Sequence, residues 1–218
     1  MLALMSRLFP AALLGASLAG VVVLGCGSSS SSGDAPDATA PDAARAGQPD
    51  GGRLSAPIHP AGACPITVET PDLVPGTHVP EGTAITWSSN PPSSGAHYPT
   101  WANFQDFAQP VDRGYLVHDL EHGAVVLSYK CEGAACAPLL DGLHKVRDAI
   151  PTDARCDASI RVRVTIVPDP LLDVPVAAAA WGWTYKADCL DLPSLTDFAR
   201  SHYAQGTEDV CAAGRTTF

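Results

Sequence analysis

The sequence predicts an α+β fold: a single small domain with a mixed or antiparallel sheet, two to three helices and a long ordered loop region, stabilised by disulfides. Three observations carry this. Apolar runs of strand length and of helix length are interspersed without the regular alternation that builds a parallel α/β sheet. The 20 Pro and 19 Gly in 218 residues favour a loop-rich chain over a helical bundle. The seven Cys leave an even number for pairing once one is assigned to lipid.

Taken in order, Cys64-Pro-Ile-Thr-Val-Glu-Thr has strand-forming content, and Ala84-Ile-Thr-Trp87 is a second short apolar run. Pro-Gly and Asn-Pro-Pro turns surround them, so residues 70–112 read as mostly ordered loop. Tyr115–His122 is expected to form two helical turns, stopped by Gly123 where a left-handed cap is wanted. Ala124–Tyr129 reads as a buried strand. Pro138–Ile150 places Leu139, Leu140, Leu143, Val146 and Ile150 at helical spacing. Ile160–Val167 alternates apolar residues with Arg161, Arg163 and Thr165, the pattern of a half-exposed strand. Val174–Tyr185 reads as one further strand carrying Trp181 and Trp183. Ser194–Gln205 is the last expected helix, with Ser194 as N-cap and Gly206 as the stop.

The N-terminus has the character of an export leader. Arg7 precedes an uncharged run, Leu8–Gly25, that ends Val23-Leu24-Gly25-Cys26. Small residues before a Cys at the end of such a run resemble a bacterial lipobox, so residues 1–25 are expected to be a signal peptide and Cys26 to be acylated. Several acyl chains on one Cys give stable anchoring. The expected partner is therefore the lipid bilayer and the location the cell envelope, the outer membrane if there are two, as Gly27 favours. Residues 26–60 are rich in Ser, Gly, Pro, Ala and Asp, and cannot bury enough apolar surface to order themselves. They read as a disordered tether with a span on the order of 30 Å, leaving 61–218 as the globular domain. The net charge of −10 argues against nucleic acid.

With Cys26 assigned to lipid, Cys64, Cys131, Cys136, Cys156, Cys189 and Cys211 remain, and an oxidising compartment would pair them. The connectivity is open. Short-loop preferences favour Cys131–Cys136 and Cys189–Cys211, which would leave Cys64–Cys156. A tetrathiolate metal site is the competing use, but there is no C-x-x-C pair.

Chemistry concentrates in the histidines. A turn-rich loop presents His97, and Leu116-Val-His118-Asp-Leu-Glu121-His122-Gly puts two His four apart, on one face if helical. Imidazole is the commonest metal donor, and Glu121 or Asp119 could complete or orient a site. The expected ligands are His97, His118 and His122, around Zn²⁺ or Cu²⁺, with binding weakened as pH falls through about 6.5. Met1 and Met5 both lie in the leader, which removes thioether ligation of copper. His59, His78, His144 and His202 lack supporting context and read as surface residues. His-Asp-Leu-Glu-His also fits the inverted zinc-protease motif, with Glu121 as base and Glu208 as the distant acid, but Gly123 ends the helix at once.

Four blocks then carry a resemblance: Asn90-Pro-Pro-Ser-Ser-Gly-Ala-His97-Tyr-Pro-Thr-Trp-Ala, Leu116–Gly123, Val164-Thr-Ile-Val-Pro-Asp-Pro170 and Ala180-Trp-Gly182. In order and spacing they resemble the domain-of-unknown-function 3105 family, over roughly residues 85–210. The resemblance implies a bacterial domain, often membrane-associated or exported, with no assigned activity and no catalytic residues to transfer. This chain departs from the commoner pattern in its six further Cys, and in a Ser and an Ala where Thr and Pro are usual in the first block. His97, His118, Glu121 and His122 are unaffected. Three readings follow: a metal-binding envelope domain, a metal-dependent hydrolase with Glu121 as acid/base, and a structural or interaction module whose imidazoles only knit a loop to a helix.

Overall fold

The computed structural model describes residues 64–218; the leader, the tether and Cys26 lie outside the described residues. The elements are β1 (Ile66–Glu69), β2 (Thr77–His78), β3 (Ala96–His97), α1 (Arg113–Glu121), β4 (Val125–Tyr129), α2 (Cys136–Ala149), β5 (Val164–Pro168), β6 (Val176–Ala180), β7 (Trp183–Ala187) and α3 (Leu192–His202). Five strands form one sheet in the order β1-β7-β6-β4-β5. The β4–β5 pair is parallel and the other pairs are antiparallel, so the sheet is mixed. The domain is α+β, as the sequence predicts.

Strand periodicity sends alternate side chains to opposite faces. Val125, Leu127 and Tyr129 of β4 join Val164, Ile166, Ala178 and Tyr185 beneath Leu143, Val146 and Ile150 of α2 and Leu195, Phe198 and Ala199 of α3. On the other face Val126, Val167, Ala179 and Trp181 meet Tyr115, Leu116, Val117 and Leu120 of α1, together with Tyr98, Ala102, Phe107 and Val111. Both faces are covered, which is why β4 and β6 are apolar throughout.

Four sequence expectations change. The strand expected to be half-exposed, β5, is buried along Val164–Val167, and Arg163 and Thr165 are buried with it. Its polar side chains meet α1 rather than water. The single strand expected over Val174–Tyr185 is a hairpin, β6 and β7, turned at Trp181-Gly182 with Gly182 at φ 76°. The last helix begins earlier than Ser194, because Asp191 is the N-cap and accepts from Ser194 N at 3.0 Å. The fourth change is in the disulfides.

Three disulfides form: Cys64–Cys189, Cys131–Cys136 and Cys156–Cys211. The short Cys131–Cys136 loop is as preferred, but Cys189–Cys211 and Cys64–Cys156 are not found. Sheet register explains the first correction. Because β1 pairs with β7 through Ile66↔Ala187, continuing that ladder sets Cys64 opposite Cys189. Cys211 lies instead with Cys156, where Asp157 N donates to Cys211 O at 3.1 Å. With all six sulfurs bonded, a tetrathiolate site is removed.

Candidate metal centre

Helix α1 positions the centre and is unusual in its burial: every residue from Gly114 to Glu121 is buried. A wholly buried helix is normally apolar. This one carries His118, Asp119 and Glu121. Its N-cap, Asp112, accepts from Gly114 N at 2.8 Å. At the other end Gly123, at φ 82°, turns the chain into β4. Arg163, only 1% exposed, donates from Nη1 to the carbonyl of His122 and to Asp209 Oδ1, both at 2.9 Å, while Nε and Nη2 hold Asp153. The C-terminal end of α1 is thus clamped from below by β5. Asp119 Oδ2 accepts from Thr165 Oγ1 at 2.9 Å. Complete burial pushes the Asp119 carboxyl well above its ordinary pKa, partly offset by its hydrogen bond from Thr165, and the side chain braces α1 against β5.

Above α1, strands β2 and β3 pair in parallel with His78 opposite His97. The pairing is tightened by Val79 N donating to His97 O at 2.8 Å. This short ladder brings both imidazoles over His118. Ring centroids are 4.9 Å apart for His78–His97, 5.0 Å for His78–His118 and 4.7 Å for His97–His118. His78, His97, His118 and Glu121 each offer one donor atom, and these four atoms lie within 4.8 Å of one another.

The orientation of the rings is specific. His97 Nδ1 lies 2.8 Å from Gly95 O, and His118 Nδ1 lies 2.7 Å from Tyr98 O. Carbonyl oxygens only accept, so both rings carry the proton on Nδ1 and turn Nε2 inward. That is the arrangement by which metal-ligating imidazoles are held, with a backbone partner fixing the tautomer. His97 Nε2 lies 2.9 Å from Glu121 Oε2 without a hydrogen bond of normal geometry. His97 Nε2 and the Glu121 carboxylate thus face each other as a pair of donor atoms that one cation could share.

Burial supplies the protonation states that ligation needs. Burial, with the His122 imidazole second, pushes His118 down to about 4. Burial, partly offset by Glu121, pushes His122 down to about 4 as well. Both are neutral donors well below the pH of about 6.5 expected from an unperturbed imidazole. Burial works to raise the Glu121 carboxyl, but His97 and the imidazoles of His118 and His78 outweigh it and hold the group below its ordinary value. Tryptophans wall the centre. Trp101 packs edge-on to His118 at 5.4 Å and His122 at 4.7 Å, and Trp181 meets His97 at 6.4 Å.

Of the ligands expected from sequence, His97 and His118 come together. His122 Nε2 lies 3.1 Å from His118 Nε2, but His122 is not part of the four-donor group. Glu121 takes a donor position there, and His78 joins it. His78 is exposed, as expected, yet it stands at the mouth of the cluster. The sequence signal for it is a repeat: His78-Val79-Pro80 and His97-Tyr98-Pro99 share His-x-Pro, and these are the two paired segments. His144 binds Asp106 at 2.7 Å. His202 is partly buried against Trp183 rather than a free surface residue. His59 lies outside the described residues. A second grouping, Asp153 with Cys156 and Cys211, offers no thiolate because its two sulfurs are bonded to each other.

The comparisons agree with the blocks read from sequence. A family model described as "Protein of unknown function (DUF3105)" matches residues 78–214, and the chain belongs to that family. The match runs from His78 and contains all the donors of the cluster. No curated protein and no solved structure matches the chain significantly. The three disulfides suit an oxidising compartment outside the cytoplasm. No helix among the described residues is long and apolar enough to cross a membrane.

Proposed function

We propose that this protein is a lipid-anchored envelope protein whose domain binds a divalent transition-metal ion, Zn²⁺ or Cu²⁺, through His78, His97, His118 and Glu121. One observation carries the metal reading. Three imidazoles and a carboxylate converge within 4.8 Å, and two of the rings are fixed by backbone carbonyls with Nε2 turned inward. Nitrogen and oxygen donors without thiolate or thioether suit Zn²⁺ or Cu²⁺. Metal analysis of the domain purified without a His-tag tests it. One equivalent of metal is expected, lost in His97→Ala and His118→Ala variants that keep the wild-type circular dichroism. Metal content that is unchanged in those folded variants would refute the assignment.

The anchor rests on Val23-Leu24-Gly25-Cys26 and on the other six Cys pairing among themselves. Acylated Cys26 would hold the domain at the bilayer by the 26–60 segment. Cys26→Ala is expected to abolish labelling by a fatty-acid analogue, and equal labelling of that variant would exclude lipidation at this residue.

A further inference from the structure

We propose that His122 and Glu208 form a second, outer metal station, through which a divalent transition-metal cation reaches the inner His78–His97–His118–Glu121 group. The inference rests on the metal-binding reading above and adds a route to it. His122 Nε2 lies 3.3 Å from Glu208 Oε2 and 3.1 Å from His118 Nε2. Bonds of ~2.0–2.2 Å to one cation set neighbouring donors about 2.9–3.4 Å apart. Both separations are of that size. His118, His122 and Glu208 therefore make a chain of donors in which each step is one coordination edge long.

Exposure drops sharply at the first step of the same chain. The Glu208 side chain is 51% exposed, whereas His122 and His118 are 2% and 3% exposed. The chain starts in water at Glu208 and ends at buried His118, a second approach to the group beside the exposed His78. Glu208 is held in register by its backbone, since Glu208 N donates to Glu121 O at 2.8 Å. Thr207 Oγ1 donates to Glu121 Oε1 at 3.4 Å, so the outer station is tied to the inner carboxylate.

Proton placement explains why the outer station holds the ion less firmly. His118 carries its proton on Nδ1, so the proton between His118 and His122 belongs to His122 Nε2. That single N–H faces two acceptors, His118 Nε2 and Glu208 Oε2, and a cation can replace it there. To ligate through Nε2, His122 must move its proton to Nδ1, which is buried and has no hydrogen-bond partner. His97 and His118 pay no such penalty, because Gly95 O and Tyr98 O already receive their Nδ1 protons. A two-donor, weaker outer station beside a four-donor inner one gives the downhill order that inward transfer requires.

Stopped-flow mixing of the disulfide-intact domain with Cu²⁺ tests the route, read by quenching of the tryptophans that wall the centre. A station on the pathway, but not in the final site, alters loading and unloading equally. In Glu208→Gln and Glu208→Ala, Cu²⁺ association and chelator-driven release are both expected to slow on the order of tenfold, with the equilibrium Kd unchanged. Rates equal to wild type would overturn the proposal. So would a weakened Kd with faster release, which would make Glu208 an ordinary ligand of the inner site. A deficit that disappears at ~1 M salt would reduce Glu208 to long-range attraction and also overturn it. Failure of the metal reading itself looks different: the wild-type domain would then bind no Cu²⁺ at equilibrium.

Discussion

The sheet has two covers, and they differ in chemistry although they bury the same strands. Beneath it, α2 and α3 supply Leu143, Val146, Ile150, Leu195, Phe198 and Ala199, with few polar groups among them: Tyr185 Oη meets Ser194 Oγ at 2.9 Å, and His202 stacks on Trp183. Above it, α1 and the 70–112 loop bury His97, His118, Asp119, Glu121 and His122, with Arg163, just before β5, reaching the His122 carbonyl and Thr165 of β5 reaching Asp119. Burying one unpaired polar group costs about 1–3 kcal/mol. The upper cover therefore has to provide partners for a concentration of polar groups, and most of them are paired with one another or with backbone carbonyls. The arrangement also divides labour: the lower cover contributes stability, and the upper one spends part of it on donors held at fixed positions.

The largest expected effects break this comparison from both sides at once. Leu195→Ala leaves a cavity in the lower cover and is expected to lower unfolding free energy by about 2–5 kcal/mol. The Kd of its folded fraction for Zn²⁺ should stay within about twofold, because sites that share no partners behave additively. His118→Ala should do the reverse, weakening Zn²⁺ by at least ~100-fold with a smaller loss of stability in the metal-free domain. Titration calorimetry and urea unfolding on both variants decide it. If Leu195→Ala weakens Zn²⁺ as much as His118→Ala does, the covers are not separable.

A smaller effect concerns the edge of the sheet. Cys64–Cys189 staples β1 to β7 across a sequence separation of 125 residues. Closing so long a loop restricts the unfolded chain strongly, so Cys64→Ser with Cys189→Ser is expected to cost about 2–4 kcal/mol in urea unfolding. Zn²⁺ affinity should not follow, since the bond lies on the lower cover's cluster and away from α1.

The same division governs how much the sequence disclosed. The lower cover was legible because its signals are local. Leu139, Leu143, Val146 and Ile150 repeat at helical spacing, and the apolar run of β4 follows Gly123. Misreadings cluster where polar residues have buried partners far along the chain. Arg163 and Thr165 looked like the wet face of β5, but α1, more than forty residues earlier in the chain, presents the His122 carbonyl and Asp119 to them. The β6–β7 turn was hidden by large apolar residues on both sides of Gly182. At the site, His97 and His118 were legible from loop character and motif context. His78 was not, because its place depends on a two-residue parallel pairing that only the folded loop creates. Glu121 was legible as a group that could complete or orient a site, since it lies three residues from His118 on the same helix; that β3 brings His97 to it was not.

Packing over the centre gives a finer test of the upper cover. Gly76 sits so close to Glu121 that an added methyl group would meet the carboxylate, with His97 Cε1 at 3.1 Å. Gly76→Ala is therefore expected to displace Glu121 and weaken Zn²⁺ about tenfold, while unfolding free energy changes by less than about 1 kcal/mol. An unchanged Kd would mean that Glu121 contributes little to holding the ion.

The smallest expected effect uses acid to compare the covers, because each holds a suppressed imidazole. On the lower cover His202 stacks on Trp183 at 4.2 Å, and burial alone pushes it down to about 4. On the upper cover His118 and His122 are at about 4 for the reasons given above. In the unfolded chain all three take up protons near 6.5, so between about pH 6.5 and 4 that state binds more protons than the folded one. Metal-free stability is then fully present above about pH 6.5, declines as pH falls, and stops declining from this source below about 4. His202→Phe keeps the stack on Trp183 and removes one titrating group. It is expected to recover about 1 kcal/mol of the loss between pH 7 and pH 4, the value being reduced for the partial exposure of the ring. Zn²⁺ separates the remaining two. A bound cation prevents His118 from taking a proton, so the metal-loaded domain should hold its stability to lower pH than the metal-free one, and His202→Phe should add to that protection independently. Urea unfolding at pH 7, 5.5 and 4, with and without Zn²⁺, measures both contributions. If the variant and the metal rescue the same part of the loss rather than adding, the acid-sensitive groups of the two covers are coupled through the sheet.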